Sequence, residues 1–190
     1  DYSVGFAMPN TEFDDTTIPR TNFTIQTRYY FHPDTIGDNY DMRPQFTYFY
    51  SNASGSSTPE NDSIRVWLNG KSSYFQMWAK ADGVTTDTRV TQNDAWHFHT
   101  QGNKCVTISF ESSGSGGMIR VHLHAEGQTS ATEVMTLAYP KTSFDTYTTL
   151  ASPLFVRETG VSGDDPPGGK TYVESSKMYS RVLSISEMLY

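Results

Sequence analysis

The chain has 190 residues, with 12 Tyr and 11 Phe but only 18% charged side chains, a β-rich composition long enough to bury a sizeable core. Its formal net charge of -7 argues against a nucleic-acid backbone or an anionic membrane surface as the main partner. No apolar run approaches the roughly 20 residues that span a bilayer, so no membrane insertion is expected, and from Asp1 onward the pattern of a signal peptide is missing, so the sequence reads as a mature or excised segment.

The predicted elements are short strands with polar loops between them. Residues 2–8 form a first strand, with Val4, Phe6 and Met8 on one face. A loop with Glu12, Asp14 and Asp15 leads to a long strand over 22–31, with Phe23, Ile25, Thr27 and Tyr29 in phase. Pro33 ends it, because proline cannot donate to a sheet ladder. An acidic loop with Asp34, Asp38 and Asp41 precedes a strand over 45–51. A Ser/Gly/Asn-rich loop then runs to residue 63. The strand over 63–69 puts Ile64, Val66 and Leu68 on one face and Arg65 and Trp67 on the other. Asn69-Gly70 is a strong hairpin signal. The return strand over 74–80 puts Phe75, Met77 and Ala79 on the apolar face, with Tyr74, Gln76 and Trp78 opposite. Asp82-Gly83 closes another turn. Residues 84–93 are polar, with a short strand expected at 88–91.

Three strictly alternating stretches follow. In residues 95–100, Trp96 and Phe98 face one way and His97 and His99 the other. In 105–110, Val106, Ile108 and Phe110 face inward. In 118–125, Ile119, Val121, Leu123 and Ala125 do so. One greasy and one polar face per strand describes half of an antiparallel sandwich. Further strands are expected over 133–138, 153–157 and 171–182, with a flexible acidic loop containing Asp164 and Asp165 before the last. Ser184-Ile185-Ser186-Glu187 reads as a capping box that opens a closing helical turn. The sum is an all-β antiparallel sandwich in one domain, 1–190.

Several stretches, in order, resemble the laminin G-like branch of the concanavalin A-like superfamily. They are Asn22-Phe23-Thr24-Ile25-Gln26, Trp96-His97-Phe98, Met118 to His124, Pro153-Leu154-Phe155-Val156, and the closing segment from Lys177 through Arg181, Leu183, Ser184 and Glu187 to Met188. Two departures narrow the match to the broad superfamily. Arg157-Glu158 replaces the usual glycine after the fourth stretch, and the single cysteine, Cys105, excludes the disulfide typical of laminin G modules. The resemblance implies a jelly roll of two curved sheets. It also implies lectin-like, adhesion or glycan-binding modules, with some glycoside hydrolases.

The hydrolase branch carries Glu-x-Asp-x-x-Glu on one strand, and retaining hydrolysis needs two carboxyls about 5–5.5 Å apart. The stretch from Glu12 to Asp15 lacks the second Glu and lies in a loop, so no enzyme is expected. His97, His99, His122 and His124 would offer a zinc site if their strands were neighbours, although His on a polar sheet face is the blander reading. Family members hold calcium with rim carboxylates, and Asp14, Asp38, Asp41, Asp87 and Asp164 are eligible donors.

The polar face, on which alternation sets Arg65, Trp67, Tyr74, Gln76, Trp78, His97, His99, Arg120, His122 and His124 together, is the expected site. Arg65, Trp67, Tyr74, Gln76 and Trp78 combine stacking rings with hydrogen-bonding groups, which suits a sugar. The expected function is a non-enzymatic carbohydrate-binding or adhesion module with a glycan or glycoprotein partner. The alternatives are a self-associating structural domain of a fibre, appendage or surface coat, and a glycoside hydrolase. Sequons at Asn52 and Asn61, flanking the turn-rich loop 51–63, point to a glycoprotein at an extracellular, cell-surface or virion-surface location, while the third, Asn22 at a strand start, reads as a chance triplet.

Overall fold

In the structure, a computed structural model, the described residues are 5–7, 20–33, 43–50, 63–69, 74–81, 84–91, 101–143, 152–159 and 169–189. They hold eleven strands and one short helix. The strands are β1 (Gly5–Ala7), β2 (Phe23–Pro33), β3 (Arg43–Tyr50), β4 (Ser63–Asn69), β5 (Tyr74–Ala81), β6 (Val84–Thr91), β7 (Gly102–Ser113), β8 (Gly116–Ala125), β9 (Thr132–Tyr139), β10 (Ser152–Thr159) and β11 (Gly169–Tyr179). A 3-10 turn covers Ile185–Met188. Among the described residues no helix is long and apolar enough to cross a membrane.

All pairings are antiparallel and form two sheets. One has six strands in the order β1-β10-β3-β4-β5-β6, and the other has five in the order β11-β2-β7-β8-β9. The period-2 pattern explains the layering. Phe23, Ile25 and Tyr29 on β2, Val106, Ile108 and Phe110 on β7, and Ile119, Val121 and Leu123 on β8 form one inner face. Ile64 and Val66 on β4 and Met77 and Ala79 on β5 form the other, and all of these are buried. Fully burying an aliphatic or aromatic side chain of this kind is worth about 1.5–3 kcal/mol, so these two faces are what hold the sheets together. β9 also comes against β5 and β6, closing that edge of the sandwich.

Local chemistry sets the connections. Ser113 pairs with Gly116 across a two-residue loop in which Gly114 has φ +57, the sign that the hairpin turns favoured by strand twist require. Two bulges interrupt the five-stranded sheet. One lies between Val173 and Ser175 in β11, and the other at Val121/His122 where β8 meets β9.

Three sequence expectations are corrected. The polar stretch after Asp82-Gly83 is a full strand, β6 over Val84–Thr91, paired along its length with β5. Its inner positions are Thr86, Thr88 and Val90, so hydroxyls stand where an apolar alternation was sought. The last strand ends at Tyr179 rather than at 182, because the chain turns away to cross the outer face of the five-stranded sheet. There Thr24 Oγ1 donates to the Arg181 carbonyl at 2.9 Å and accepts from Leu183 N–H at 3.1 Å. Gln26 Nε2 donates to Glu187 O at 3.3 Å, and Arg28 Nη2 donates to Leu189 O at 3.2 Å. Finally, Asn22 precedes β2 instead of starting it, exposed and at φ +48, with its Oδ1 accepting from Ser112 N–H at 2.9 Å. The strand expected at 95–100, the loop acids Asp14, Asp38, Asp41 and Asp164, and the sequons Asn52 and Asn61 lie outside the described residues.

Candidate functional site

The five residues expected to form the site occupy two neighbouring strands of the six-stranded sheet. Arg65 pairs with Trp78, Trp67 with Gln76, and Asn69 with Tyr74. Because successive positions alternate, Arg65, Trp67, Tyr74, Gln76 and Trp78 share the sheet face opposite buried Ile64, Val66, Met77 and Ala79. The registers on either side extend this into a grid. Gln45 on β3 pairs with Trp67, and Arg89 on β6 pairs with Gln76. Thr47 pairs with Arg65, and Asp87 pairs with Trp78.

One row therefore reads Gln45, Trp67, Gln76, Arg89, and the next reads Thr47, Arg65, Trp78, Asp87. At about 4.8 Å per strand spacing, each row spans on the order of 14 Å. The two tryptophans sit diagonally across the rows, each flanked by polar positions. Gln76 is half-buried, and its Nε2 donates to Asp87 Oδ2 at 3.2 Å. This is the diagonal cross-strand contact that long side chains reach. It fixes the orientation of the Gln76 amide on the outer face.

The sequence reading missed Gln45, Thr47 and Arg89, and saw Asp87 only as a loose oxygen donor. The signal of Arg89 and Asp87 is weak because β6 has no apolar alternation to reveal its register; Gln45 and Thr47 join the grid only through the pairing of β3 with β4, which the sequence does not specify. The grid combines planar cation, amide, carboxylate and indole positions. Asp87 is the sole acid among its eight positions, so the grid holds no pair of carboxyls at hydrolytic spacing.

His122 and His124 belong elsewhere. They sit on β8, in the other sheet, with both side chains buried to 4% exposure. The sequence grouped them and Arg120 with the tryptophans, since all point away from the core. The structure places them on the opposite outer face of the sandwich. His122 Nε2 lies 3.7 Å from Glu133 Oε2, while Arg120 reaches Glu111 at 2.7 Å and Glu133 at 3.6 Å. Burial holds the His122 imidazole below its usual titration range; Glu133 opposes that shift and Arg120 reinforces it. His124 Nε2 is 2.9 Å from Gln128 O and is used locally. Next to it, Cys105 pairs in register with His124, and burial pushes its thiol up to about 11, which makes it a poor nucleophile or metal ligand. His97 and His99 lie outside the described residues.

Among the described residues no group of three or more His, Cys, Asp or Glu side chains could hold a metal ion. Calcium takes six to eight oxygen ligands, and Asp87, already accepting from Gln76, provides no such set. The described grid therefore does not fit a calcium site.

No family model matches the sequence, and no curated protein matches it. Solved structures do match. The exoplasmic/lumenal domain of VIP36 in a form bound to Ca2+ and Man is 10% identical, covering 88% of this chain and 72% of that one, with a TM-score of 0.56. The metal-free form of the same domain is 11% identical, covering 90% and 75%, also at 0.56. The endo-β-1,3-glucanase of Pyrococcus furiosus is 12% identical, covering 95% of this chain and 64% of that one, at 0.50. At such identities the likeness is one of fold. The chain has the concanavalin A-like jelly-roll fold that its sequence resembles.

Proposed function

We propose that this chain is a non-enzymatic carbohydrate-binding module, with its glycan held on the outer face of the six-stranded sheet by Arg65, Trp67, Tyr74, Gln76 and Trp78. The observation that carries the reading is the register that places two tryptophans diagonally between amide and charged positions, with Gln76 anchored on Asp87. Indole faces stack on the apolar faces of sugar rings while amide, guanidinium and carboxylate groups bind hydroxyls, the usual composition of a small-ligand site. Support also comes from the fold's company, a domain solved with Man bound and a glucanase. The fold hosts both binding and hydrolysis, and a face with one acid among eight positions favours binding. An extracellular or surface setting as a glycoprotein rests on the sequons at Asn52 and Asn61 in the turn-rich loop.

The test is a glycan array probed with the purified chain and its Trp78→Ala variant, with and without a calcium chelator. Selective binding of the wild type, weakened about tenfold in the variant, is the expected result; that factor corresponds to about 1.4 kcal/mol, within the range for loss of one stacked ring. Chelator sensitivity would bring in a calcium held by residues beyond the grid. Turnover of a chromogenic glycoside would replace binding with hydrolysis. A blank array with concentration-dependent self-association would favour an assembly domain.

A further inference from the structure

The outer face of the five-stranded sheet carries a second polar and aromatic surface. It begins where the crossing segment ends. That segment engages Thr24, Gln26 and, through Leu189, Arg28; the next outward position on β2 is Tyr30. Tyr30 pairs with Tyr172 on β11 and with Asn103 on β7. Its ring lies 6.4 Å from that of Tyr172, tilted by 52°. Tyr172 is 56% exposed.

Two long-range hydrogen bonds fix the polar groups beside these rings. Gln101 Nε2 donates to Tyr30 Oη at 2.6 Å. Asn103 Nδ2 donates to Glu126 Oε2 at 2.7 Å, and Glu126 N–H donates back to Asn103 O at 3.1 Å. Between Gln101 and Asn103 stands Gly102, at φ +128 with open space where a side chain would be. The result is a row across the sheet, Tyr172, Tyr30, Asn103 and Glu126, with Gln101 at its side.

We infer that Tyr30, Tyr172, Gln101, Asn103 and Glu126 form a second binding site, for a neutral oligosaccharide, on the side of the sandwich opposite Trp67 and Trp78. The two tilted rings give an apolar platform for sugar C–H faces. The oxygens of Gln101, Asn103 and Glu126 not engaged in the bonds above accept from sugar hydroxyls. Because the bonds from Gln101 and Asn103 already order these side chains, less conformational entropy is lost on binding. Charge selects the ligand class. Glu126 is the one ionised group of the five, and the chain carries -7 overall, so a sulfated or otherwise polyanionic glycan is repelled and a neutral one is not. The site is independent of the face carrying Trp67 and Trp78. Two sites on opposite faces would let one molecule bridge two glycan chains, a gain set by effective concentration rather than by new contacts.

The experiment uses an array of neutral oligosaccharides, followed by equilibrium titration with the strongest of them. It compares the wild type, Trp78→Ala, Tyr172→Ala and Gln101→Ala, with melting temperatures recorded for each. Tyr172 is more than half exposed, so its replacement leaves the core intact, and Gln101→Ala provides the same test should it not. The expected result is that Trp78→Ala retains a binding component that Tyr172→Ala loses and that Gln101→Ala weakens about tenfold. If Trp78→Ala abolishes all binding, the second site is wrong and the first stands. If Tyr172→Ala abolishes binding while Trp78→Ala does not alter it, the second site stands and the first is wrong. Wild-type behaviour of both Tyr172→Ala and Gln101→Ala, or a blank array, overturns the inference.

Discussion

At the scale of single residues, His122 is a buried titratable side chain that bears on the chain's acid stability. It is 4% exposed, its Nδ1 has no hydrogen-bond partner among the described residues, and its Nε2 has Glu133 at 3.7 Å. Protonating it would bury a charge beside Arg120, with Glu133 as partial compensation. The folded chain therefore binds this proton less readily than the unfolded chain, whose imidazole titrates near 6.5. The sign follows from linkage. Stability from keeping His122 neutral is complete above pH 6.5. It declines as the pH falls below that value toward the lowered folded-state titration. Replacing His122 with Phe removes this dependence, so between pH 7 and pH 5 the variant's Tm should fall less steeply than the wild type's. Parallel Tm profiles for the two proteins would show that His122 plays no part in acid sensitivity.

At the scale of elements, Gly117 decides how β7 and β8 pack. It pairs with Ser112 and with Tyr139, on the inner face of its strand. A Cβ there would collide with the ring of Phe110. That ring has nowhere to go: it is fully buried, 5.6 Å from the Phe23 ring and 5.7 Å from the Tyr139 ring, edge-on to the latter at 86°. Gly117→Ala should cost about 1–3 kcal/mol, the usual range for overpacking a tight core. Urea unfolding would read this as a lower midpoint at unchanged slope, and an unchanged midpoint would mean that the aromatic cluster can yield. This strand pair was legible in the sequence because Val106, Ile108, Phe110, Ile119, Val121 and Leu123 alternate without a break. β6 was not, because its inward positions include Thr86 and Thr88, which carry no apolar signal. The outward grid suffered in turn, since Asp87 and Arg89 join it only through the register of β6.

At the scale of the whole molecule, alternation tells inside from outside but not which outside. A sandwich has two outer faces, and the sequence merged them. It set His122 and His124 beside Trp67 and Trp78, although a full sandwich thickness separates their strands. What distinguishes the faces is the closing segment, whose start the Ser184/Glu187 motif did reveal. Ser184 N–H donates to Glu187 Oε2 at 2.9 Å, and Arg181 clasps the same carboxylate at 2.9 and 2.6 Å. These bonds hold the Glu187 carboxyl down at about 2, so it stays ionised across the physiological range. They shape the segment but sit in solvent, where exposed ion pairs contribute little to stability. Attachment rests instead on Met188 and Leu183, buried with Ala131 in a small second core against Tyr179. Met188→Ala should therefore destabilise the chain by about 2–5 kcal/mol, the cost of truncating a buried methionine. Part of that cost is felt by Thr24, Gln26 and Arg28, whose polar groups depend on the segment's carbonyls. Backbone amide exchange should accelerate in 181–189 and in β2, while any binding at the face proposed around Trp78 stays unchanged, because that face belongs to the other sheet. A loss below about 0.5 kcal/mol, within the range of ordinary surface substitutions, would mean that the closing segment merely rests on the sheet rather than helping to hold it.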